Sequence, residues 1–148
     1  IDIFTDVHEV CAHPTDPSIA IAAAAAGFCM SHDGGATWTI EQDGLPAAYC
    51  SAVAFLDGDV LVAASTDHFA AQGAVYRRAL GARQPFAPVG GGLPRWIDGI
   101  ADTRCIAMRG SGAAVADRAG NLYVSTDAGR TWSRRADRLP QPSSVVIV

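Results

Sequence analysis

One eight-residue stretch occurs twice in the chain and decides how the rest is interpreted. The two copies are Ser31-His32-Asp33-Gly34-Gly35-Ala36-Thr37-Trp38 and Ser125-Thr126-Asp127-Ala128-Gly129-Arg130-Thr131-Trp132. They begin 94 residues apart, and half of that distance, 47 residues, also separates Tyr76 from Tyr123 in two similar segments. Leu-Pro pairs recur at nearly the same spacing, at Leu45-Pro46, Leu93-Pro94 and Leu139-Pro140. The chain therefore contains three repeats of about 47 residues, and the middle repeat lacks the eight-residue motif.

Each repeat holds four short runs of β-branched, aromatic and small apolar residues separated by turn residues. The runs are Val7–His13, Ile19–Ala25, Phe28–Ser31 and Thr37–Gln42; Cys50–Leu56, Val60–Ser65, Ala74–Arg78 and Phe86–Val89; and Arg104–Arg109, Ala113–Ala116, Asn121–Ser125 and Thr131–Arg135. Four strands in about 47 residues is typical of a β-propeller blade. The sequence predicts an all-β fold with blades at about 7–46, 47–94 and 95–140, and a strand of a further blade at 141–148.

The alanine-rich run Ala22–Ala26 tests this interpretation, since alanine favours helices. The run lies between Pro17 and Gly27 and is too short to nucleate a helix alone. Its place in the repeat predicts a strand.

The repeated motif has the chemistry of a tight hairpin turn between the third and fourth strands. We expect the carboxylates of Asp33 and Asp127 to accept hydrogen bonds from backbone N–H groups two residues on. Gly35 and Gly129 can adopt the positive φ that the turn requires. The rings of Trp38 and Trp132 are expected to cover the hairpin. Each copy of the structural motif begins with a serine, Ser31 in the first and Ser125 in the second.

On these residues the chain resembles the BNR/Asp-box repeat proteins, which include sialidases, some β-glucan hydrolases, sortilin receptors and photosystem II assembly factors. The resemblance implies a β-propeller in which the Asp-box has a structural role, on the face away from the catalytic or binding centre. A role for Asp33 and Asp127 as paired catalytic carboxylates is disfavoured, because turn formation already explains them. In the middle repeat Leu80 takes the place of the aspartate, and Phe86 lies near the tryptophan position.

Composition and charge exclude several classes of function. The chain has 148 residues and a formal net charge of −4, with eleven arginines and no lysine. This balance gives no electrostatic footprint for nucleic acid or an anionic membrane. The longest apolar run, Ile19–Ala26, is too short to cross a bilayer, so no membrane helix is predicted. The arginine bias indicates a bacterial origin, while the compartment stays open, with the cytoplasm slightly favoured.

The cysteines and the first strand raise the question of metal binding. Cys11, Cys29, Cys50 and Cys105 show no CxxC spacing and lie in apolar runs, which favours buried thiols over a disulfide framework. Glu9, Cys11 and His13 share one face of a regular strand, but no second ligand cluster accompanies them. The sequence predicts no metal and no cofactor.

Two loops are the strongest candidates for a site. They are Ser65–Gly73, between the second and third strands of the middle blade, and Pro94–Arg104, which leaves that blade. Both are expected on the face opposite the repeated motif. Ligand-binding candidates are Asp67, His68, Arg95, Trp96 and Asp98, which would supply an acid, a base, an anion contact and a stacking surface. In the alternative interpretation the loops are simply solvated, and Trp96 fills a gap between blades.

Two classes of function remain open at this point. The first is a non-catalytic scaffold that binds a carbohydrate or a protein partner. The alternative is a glycoside hydrolase, sialidase-like by resemblance, with Asp67, His68 or Asp98 as catalytic candidates. Only two glutamates, Glu9 and Glu41, are present for sialidase-type chemistry. Because propellers close with four to eight blades, we expect ring closure by blades of a longer protein or by a second copy of this chain.

Overall fold

A computed structural model describes residues 6–148 as three antiparallel β-sheets. Residues 1–5, the beginning of the predicted 1–148 propeller segment, lie outside the described residues. The all-β fold predicted from the repeat is confirmed, and the three sheets do not close into a ring.

The strands of each sheet follow one another in chain order. The first sheet contains β1 (Val7–Ala12), β2 (Ala20–Ala24), β3 (Gly27–Ser31) and β4 (Thr39–Glu41). The second contains β5 (Tyr49–Leu56), β6 (Asp59–Ser65), β7 (Gln72–Ala79), β8 (Ala87–Pro88) and β9 (Ile97–Asp98), and the third contains β10 (Ile106–Arg109), β11 (Gly112–Ala116), β12 (Leu122–Ser125) and β13 (Ser133–Ala136). Each of the twelve runs predicted from the sequence therefore overlaps one strand.

Strands β2 and β9 show which strands the sequence could predict and which it could not. Ala22–Ala24 of the alanine-rich run belong to strand β2, as predicted, and pair with both β1 and β3, whereas Ala25 and Ala26 form the turn into β3. Strand β9 was not predicted. It is two residues long and pairs with the start of β7, where Gln72 faces Asp98 and Gly73 faces Ile97. The outer edge of β7 is thus shared by β8 and β9.

The core lies between the sheets because the central strand of the middle sheet is apolar on both faces. Val60 and Val62 of β6 belong to the cluster that includes Phe28 of the first sheet. The intervening Leu61 belongs to the cluster that includes Trp132 of the third sheet. Alternate residues of one strand thus pack against different neighbouring sheets, as in the stacked blades of a propeller.

The repeated motif joins β3 to β4 and β12 to β13. In the first copy the Asp33 carboxylate accepts from the backbone N–H of Thr37 at 2.8 Å and from its hydroxyl at 2.6 Å. The N–H two residues after Asp33, that of Gly35, donates to the Ser31 hydroxyl at 2.8 Å instead of to the carboxylate. That detail of the sequence prediction is wrong: the serine takes the near N–H, and the carboxylate reaches four residues on.

The remaining features of the turn follow the expected chemistry. Gly35 has a φ of 91°, and the indole N–H of Trp38 donates to its carbonyl at 3.0 Å. The second copy repeats the arrangement: Gly129 has a φ of 72°, and Trp132 donates to its carbonyl, also at 3.0 Å. Trp132 is the more buried of the two indoles, because the second sheet packs against it.

The middle sheet replaces this turn with different contacts. Arg78 lies 47 residues after Ser31, and its guanidinium pairs with the carboxylate of Glu41. The same guanidinium lies 4.2 Å from the ring centroid of Phe86, which is buried. Leu80 packs against the core between the first and second sheets. A stacked arginine thus takes the place of the serine–aspartate turn.

The C-terminal residues 141–148, predicted as a strand of a further blade, contain no strand in this structure. The backbone N–H of Val145 donates to the carbonyl of Arg104 at 2.9 Å, and the Val145 side chain packs against the core. The further blade stays a prediction.

The two motif aspartates predict an acid-sensitive fold. Hydrogen bonds from the Thr37 side chain and backbone, and then from Ser31, lower the pKa of Asp33 to about 2, and the equivalent bonds lower the pKa of Asp127 further. A lowered pKa in the folded state stabilises the fold above the unfolded pKa, near 4, and this contribution is lost as the pH falls through the folded value. We expect the thermal unfolding midpoint to fall between pH 4 and pH 2.

Thermal unfolding followed by circular dichroism measures this midpoint. The double substitution Asp33→Asn, Asp127→Asn should lower the midpoint at pH 7 and flatten its dependence between pH 4 and pH 2. An equally steep dependence in the double variant would show that other groups cause it.

Candidate functional site

The two candidate loops lie at the end of the sheets opposite the repeated motif. The motif follows the C-terminal end of β3 and of β12. Because neighbouring strands are antiparallel, the other end of the sheets holds the β6–β7 and β11–β12 connections and the starts of β5 and β10. Tyr49 at the start of β5 accordingly pairs with Ser65 at the end of β6. We call this end, formed by Tyr49 and residues 66–71, 98–104 and 117–121, the loop face.

Backbone pairing fixes the two loops to each other. Beyond the β7–β9 ladder, the N–H of Gly99 donates to the carbonyl of Ala71 at 2.8 Å. The third sheet adds a further tie, since the N–H of Arg118 donates to the carbonyl of Ile100 at 2.9 Å. The loops thus form one surface held by main-chain hydrogen bonds, which limits their freedom before any ligand binds.

A polar cluster lies at the centre of the loop face. The hydroxyl of Tyr49 is 3.3 Å from Nδ1 of His68, and Nη2 of Arg118 is 3.4 Å from each ring nitrogen of His68. Arg118 also donates to the His68 carbonyl, and its Nη2 lies 3.1 Å from a carboxylate oxygen of Asp102. We call these four residues the His68 cluster. They come from four separate segments, so the cluster exists only in the folded chain.

The charges within the cluster are matched. Burial alone would raise the pKa of Asp102, but the Thr103 N–H and the Arg118 guanidinium outweigh it, and the pKa is lowered overall. Asp102 is therefore ionised at neutral pH and holds Arg118 by a charge-assisted hydrogen bond. Burial raises the pKa of Tyr49, and the charge of Asp102 raises it further, so its phenol stays protonated and can donate.

The cluster continues into the first sheet through His8. Its Nδ1 donates to the carbonyl of Cys50 at 2.6 Å, its ring centroid is 4.7 Å from that of Tyr49, and its Nε2 is 3.4 Å from the carboxylate of Asp6. Elements of all three sheets thus meet at the loop face.

Two aromatic side chains are exposed, one on the loop face and one in the segment that leads into it. Phe69 is 86% exposed, and its ring packs edge-on against His68 at a centroid distance of 4.9 Å. Trp96 is 46% exposed, with the guanidinium of Arg95 stacked 4.1 Å from its ring centroid. Arg95 also donates to the hydroxyl of Tyr76 at 3.2 Å. Trp96 is therefore a surface residue, not one enclosed between blades.

The two carboxylates predicted as acids are both engaged in hydrogen bonds, Asp67 in a local turn and Asp98 in strand β9. Asp67 accepts the N–H of Phe69 at 2.7 Å, which fixes the turn that presents this ring. Asp98 accepts the side-chain amide of Asn121 at 3.2 Å. Within residues 6–148 no hydrogen bond joins Asp67 to Asp98, or His68 to Arg95. Asp67, His68 and Asp98 lie on the loop face, whereas Arg95 and Trp96 lie in the segment before it, where Arg95 contacts Tyr76 of β7.

The residues that position the loop face were not identified from the sequence. Asp117, 1% exposed, accepts the backbone N–H of Asn121 at 3.0 Å and its side-chain amide at 2.9 Å. The backbone N–H of Asn121 binds Oδ1, and the Asn121 amide shares Oδ2 with the N–H of Asp98, which lies 3.1 Å from it. This network holds the β11–β12 turn, which carries Arg118, against the loop that carries Asp98. One sequence feature could have indicated this network: Asn121, the single asparagine of the chain, follows Asp117 by four residues.

The polar residues of β1 bind backbone groups of other strands. Glu9 accepts the N–H of Val53 at 3.2 Å and that of Arg104 at 3.3 Å. Burial raises its pKa, partly opposed by these bonds. Cys11 donates to the Val53 carbonyl at 3.5 Å, whereas His13 accepts the N–H of Asp16 at 3.0 Å. In the described part of the chain, no group of three His, Cys, Asp or Glu side chains is arranged to hold a metal ion.

All four cysteines are free thiols, and three of them, Cys29, Cys50 and Cys105, are buried. Burial raises the pKa of Cys50 to about 12 and those of Cys11 and Cys105 to about 11. Such thiols carry almost no thiolate at neutral pH, so they are not activated nucleophiles.

Between residues 6 and 148 there is no helix that is long and apolar enough to span a bilayer.

Comparisons with known proteins give structural likeness only. No family model and no curated protein matches the sequence. A structure of YCF48 bound to D1 peptide matches 90% of this chain and 40% of its own chain, with a TM-score of 0.65 and 14% identity. YCF48 from Cyanidioschyzon merolae matches 93% of this chain and 39% of its own, with a TM-score of 0.59 and 17% identity.

A third similar structure is an ancestral GH74 enzyme, with a TM-score of 0.56 and 16% identity over 88% of this chain and 18% of its own. The chain thus spans about two fifths of the two YCF48 chains and less than a fifth of the enzyme. These likenesses support the β-propeller-like fold.

Proposed function

We propose that this chain is part of a non-catalytic β-propeller scaffold of the BNR/Asp-box type, and that its loop face binds a protein partner through an extended peptide segment. The observation that carries the proposal is Phe69, an 86% exposed ring set beside the His68 cluster on loops already fixed by backbone pairing. A similar fold is found in YCF48 bound to D1 peptide, which supports the same class of ligand.

The chemistry of the loop face suits a peptide. Aromatic residues and arginine contribute most of the binding energy at protein interfaces, and here Phe69 and Arg118 both lie against His68. Arg118 is already held by Asp102 and by the His68 carbonyl, so little side-chain entropy is lost on binding. The hydroxyl of Tyr49 and the ring nitrogens of His68 can exchange hydrogen bonds with a peptide backbone.

The finer assignments belong to the same proposal. We place blade boundaries at about 7–46, 47–94 and 95–140, and assign a structural role to the two repeated motifs. Ring closure would come from further blades or a second copy of the chain. Arg95, Trp96 and Asp98 would form one side of the binding surface, and Asp67 and His68 the other.

Selection from a library of displayed linear peptides tests the proposal. A synthetic peptide with the selected consensus should bind the chain with a measurable Kd by calorimetry. Phe69→Ala should weaken it at least tenfold, because an anchoring aromatic side chain contributes on the order of 2 kcal/mol. The matched control is Arg130→Ala, an exposed residue on the opposite face, which should leave the Kd unchanged.

Two results would contradict this function. One is a consensus peptide whose affinity depends on Arg130 and not on Phe69. The other is turnover of fluorogenic glycosides by the chain that is lost in Asp67→Asn or Asp98→Asn, which would favour the glycoside hydrolase alternative. Saturable binding of oligosaccharides without turnover would assign the same face to carbohydrate instead.

A further inference from the structure

All three sheets contribute to one pocket at the end of the sheets that carries the repeated motifs. Its volume is about 380 Å³, which falls in the range typical of small-molecule sites. Three connections contribute to its lining: β1–β2 at His13 and Pro14, β5–β6 at Asp57 and Gly58, and β10–β11 at Gly110. These connections follow strands that run in the same direction as β3 and β12, so they lie opposite the loop face. We call this cavity the turn pocket.

Part of the lining of the turn pocket is apolar. Phe55, Leu80 and Met108 all line it, and each of these side chains is only partly buried. Phe55 and Leu80 pack against the core between the first and second sheets, whereas Met108 packs against the core between the second and third. The pocket therefore lies where the two cores meet, and it leaves apolar surface that a ligand could cover.

The absence of the eight-residue motif from the middle sheet accounts for one of these side chains. Leu80 lies 47 residues after Asp33, the aspartate that forms the motif turn of the first sheet. In the middle sheet β7 continues to Ala79, and the N–H of Leu80 donates to the carbonyl of Gly58 at 2.8 Å. A leucine thus lines the pocket at the repeat position where the first and third sheets have an aspartate.

His13 supplies a hydrogen-bond donor to the lining of the turn pocket. Its Nδ1 accepts the backbone N–H of Asp16 at 3.0 Å and that of Thr15 at 3.3 Å. Nδ1 therefore carries no proton, and the neutral imidazole has its proton on Nε2. Within residues 6–148 the Nε2 atom forms no hydrogen bond, so it can donate to a ligand. The ring lies edge-on to Phe55, with a centroid distance of 4.9 Å, which limits its rotation.

The charged side chains of the pocket balance one another. Asp59 is already paired with Arg77. Asp57 and Arg109 are exposed, and neither forms an ion pair in the part of the chain that the structure describes. One carboxylate and one guanidinium give the lining no net charge that would select an anion or a cation. The arrangement favours a neutral ligand that both accepts and donates hydrogen bonds.

We propose that the turn pocket binds a small uncharged aromatic molecule that carries an amide group. The ligand ring would pack against Phe55, Leu80 and Met108, because aromatic rings and thioether sulfur both interact favourably with a further ring. The amide carbonyl would accept a hydrogen bond from Nε2 of His13, and the amide N–H groups would donate to Asp57. This site lies at the other end of the sheets from the proposed peptide surface and does not depend on it.

Benzamide is the probe for this proposal. Titration of the full chain, followed by ¹H–¹⁵N correlation spectra, should give saturable shifts at the amides of Gly58, Leu80 and Gly110. His13→Asn keeps a hydrogen-bond acceptor near the position of Nδ1, which preserves the turn, but removes the Nε2 donor. It should weaken benzamide binding about fivefold or more. The matched control is His32→Asn, at an exposed histidine outside the pocket lining, which should leave binding unchanged.

Ligands of related shape test the same proposal without any change to the protein. Cyclohexanecarboxamide keeps the amide without the aromatic ring, and benzoate and benzamidine replace the amide by a negative and a positive group. All three should bind more weakly than benzamide. Phe69→Ala should leave benzamide binding unchanged, so failure of the peptide proposal and failure of this one are distinguishable.

Four results would overturn the proposal. They are the absence of saturable shifts with benzamide, equal affinity for cyclohexanecarboxamide, tighter binding of either charged analogue, and benzamide affinity that is unchanged in His13→Asn.

Discussion

Asp117→Ala is expected to lower the free energy of unfolding by about 3 kcal/mol, because it leaves several buried donors without an acceptor. The carboxylate is 1% exposed and accepts the backbone and side-chain N–H groups of Asn121 and the backbone N–H of Asp98. Each buried donor left unpaired costs about 1–3 kcal/mol. Urea unfolding followed by tryptophan fluorescence measures the change.

The same substitution should also disturb the loop face. Arg118 directly follows Asp117, and Asp98 begins the segment that leads to Asp102, so both halves of the ion pair depend on this network. We therefore expect weaker binding of a consensus peptide in Asp117→Ala even under conditions where the variant is folded. Asp117→Asn keeps one acceptor oxygen and should lose less stability.

Asp137→Ala is the matched control. Its carboxylate lies 3.7 Å from Arg134, and both side chains are more than half exposed. A solvent-exposed pair of this kind contributes about 0–1 kcal/mol. If Asp117→Ala proves no more destabilising than Asp137→Ala, the buried network does not hold the turn.

The strands were predictable because their signals are local and repeated. The run Val60-Leu61-Val62 carries apolar side chains on both faces, and each repeat of about 47 residues holds four such runs in the same order, so one repeat supports the assignment of the next. Strand β9 escaped prediction for the opposite reason. Its two residues, Ile97 and Asp98, are defined only by pairing with Gln72 and Gly73, some 25 residues earlier in the chain.

The loop face was predictable only in part. The sequence indicated the loops that hold His68 and Trp96, since unusual polar and aromatic residues stand out locally. It did not indicate Tyr49 or Arg118, which reach His68 from a strand 19 residues before it and a turn 50 residues after it. Nor could the sequence show that the Asp67 carboxylate is already used to fix its own turn, because an aspartate that forms a turn and one that transfers a proton look the same in sequence.

A phenylalanine pair offers a second large effect with an internal control. Phe28 is fully buried between the first and second sheets, with its ring centroid 5.1 Å from that of Phe86 in an edge-on arrangement. Truncating a buried phenylalanine to alanine costs about 3–5 kcal/mol, from lost burial and from the cavity that remains. Phe28→Ala should therefore lower the free energy of unfolding by that amount in urea unfolding experiments.

The effect should extend to Arg78, whose guanidinium lies 5.6 Å from the Phe28 ring centroid and 4.2 Å from that of Phe86. Loss of the Phe28 ring removes part of the aromatic surface that the Arg78 guanidinium contacts. We therefore expect the Arg78–Glu41 ion pair to weaken. Peptide binding at the loop face, at the other end of the sheets, should not change.

Phe69→Ala makes the same chemical change at a ring that is 86% exposed. Little surface is uncovered and no cavity forms, so the free energy of unfolding should change by less than about 0.5 kcal/mol. The two substitutions thus separate stability from recognition: Phe28→Ala should destabilise the stacked sheets and spare the peptide surface, and Phe69→Ala should do the reverse. Equal losses of stability in the two variants would mean that Phe28 does not lie in a packed interface between sheets.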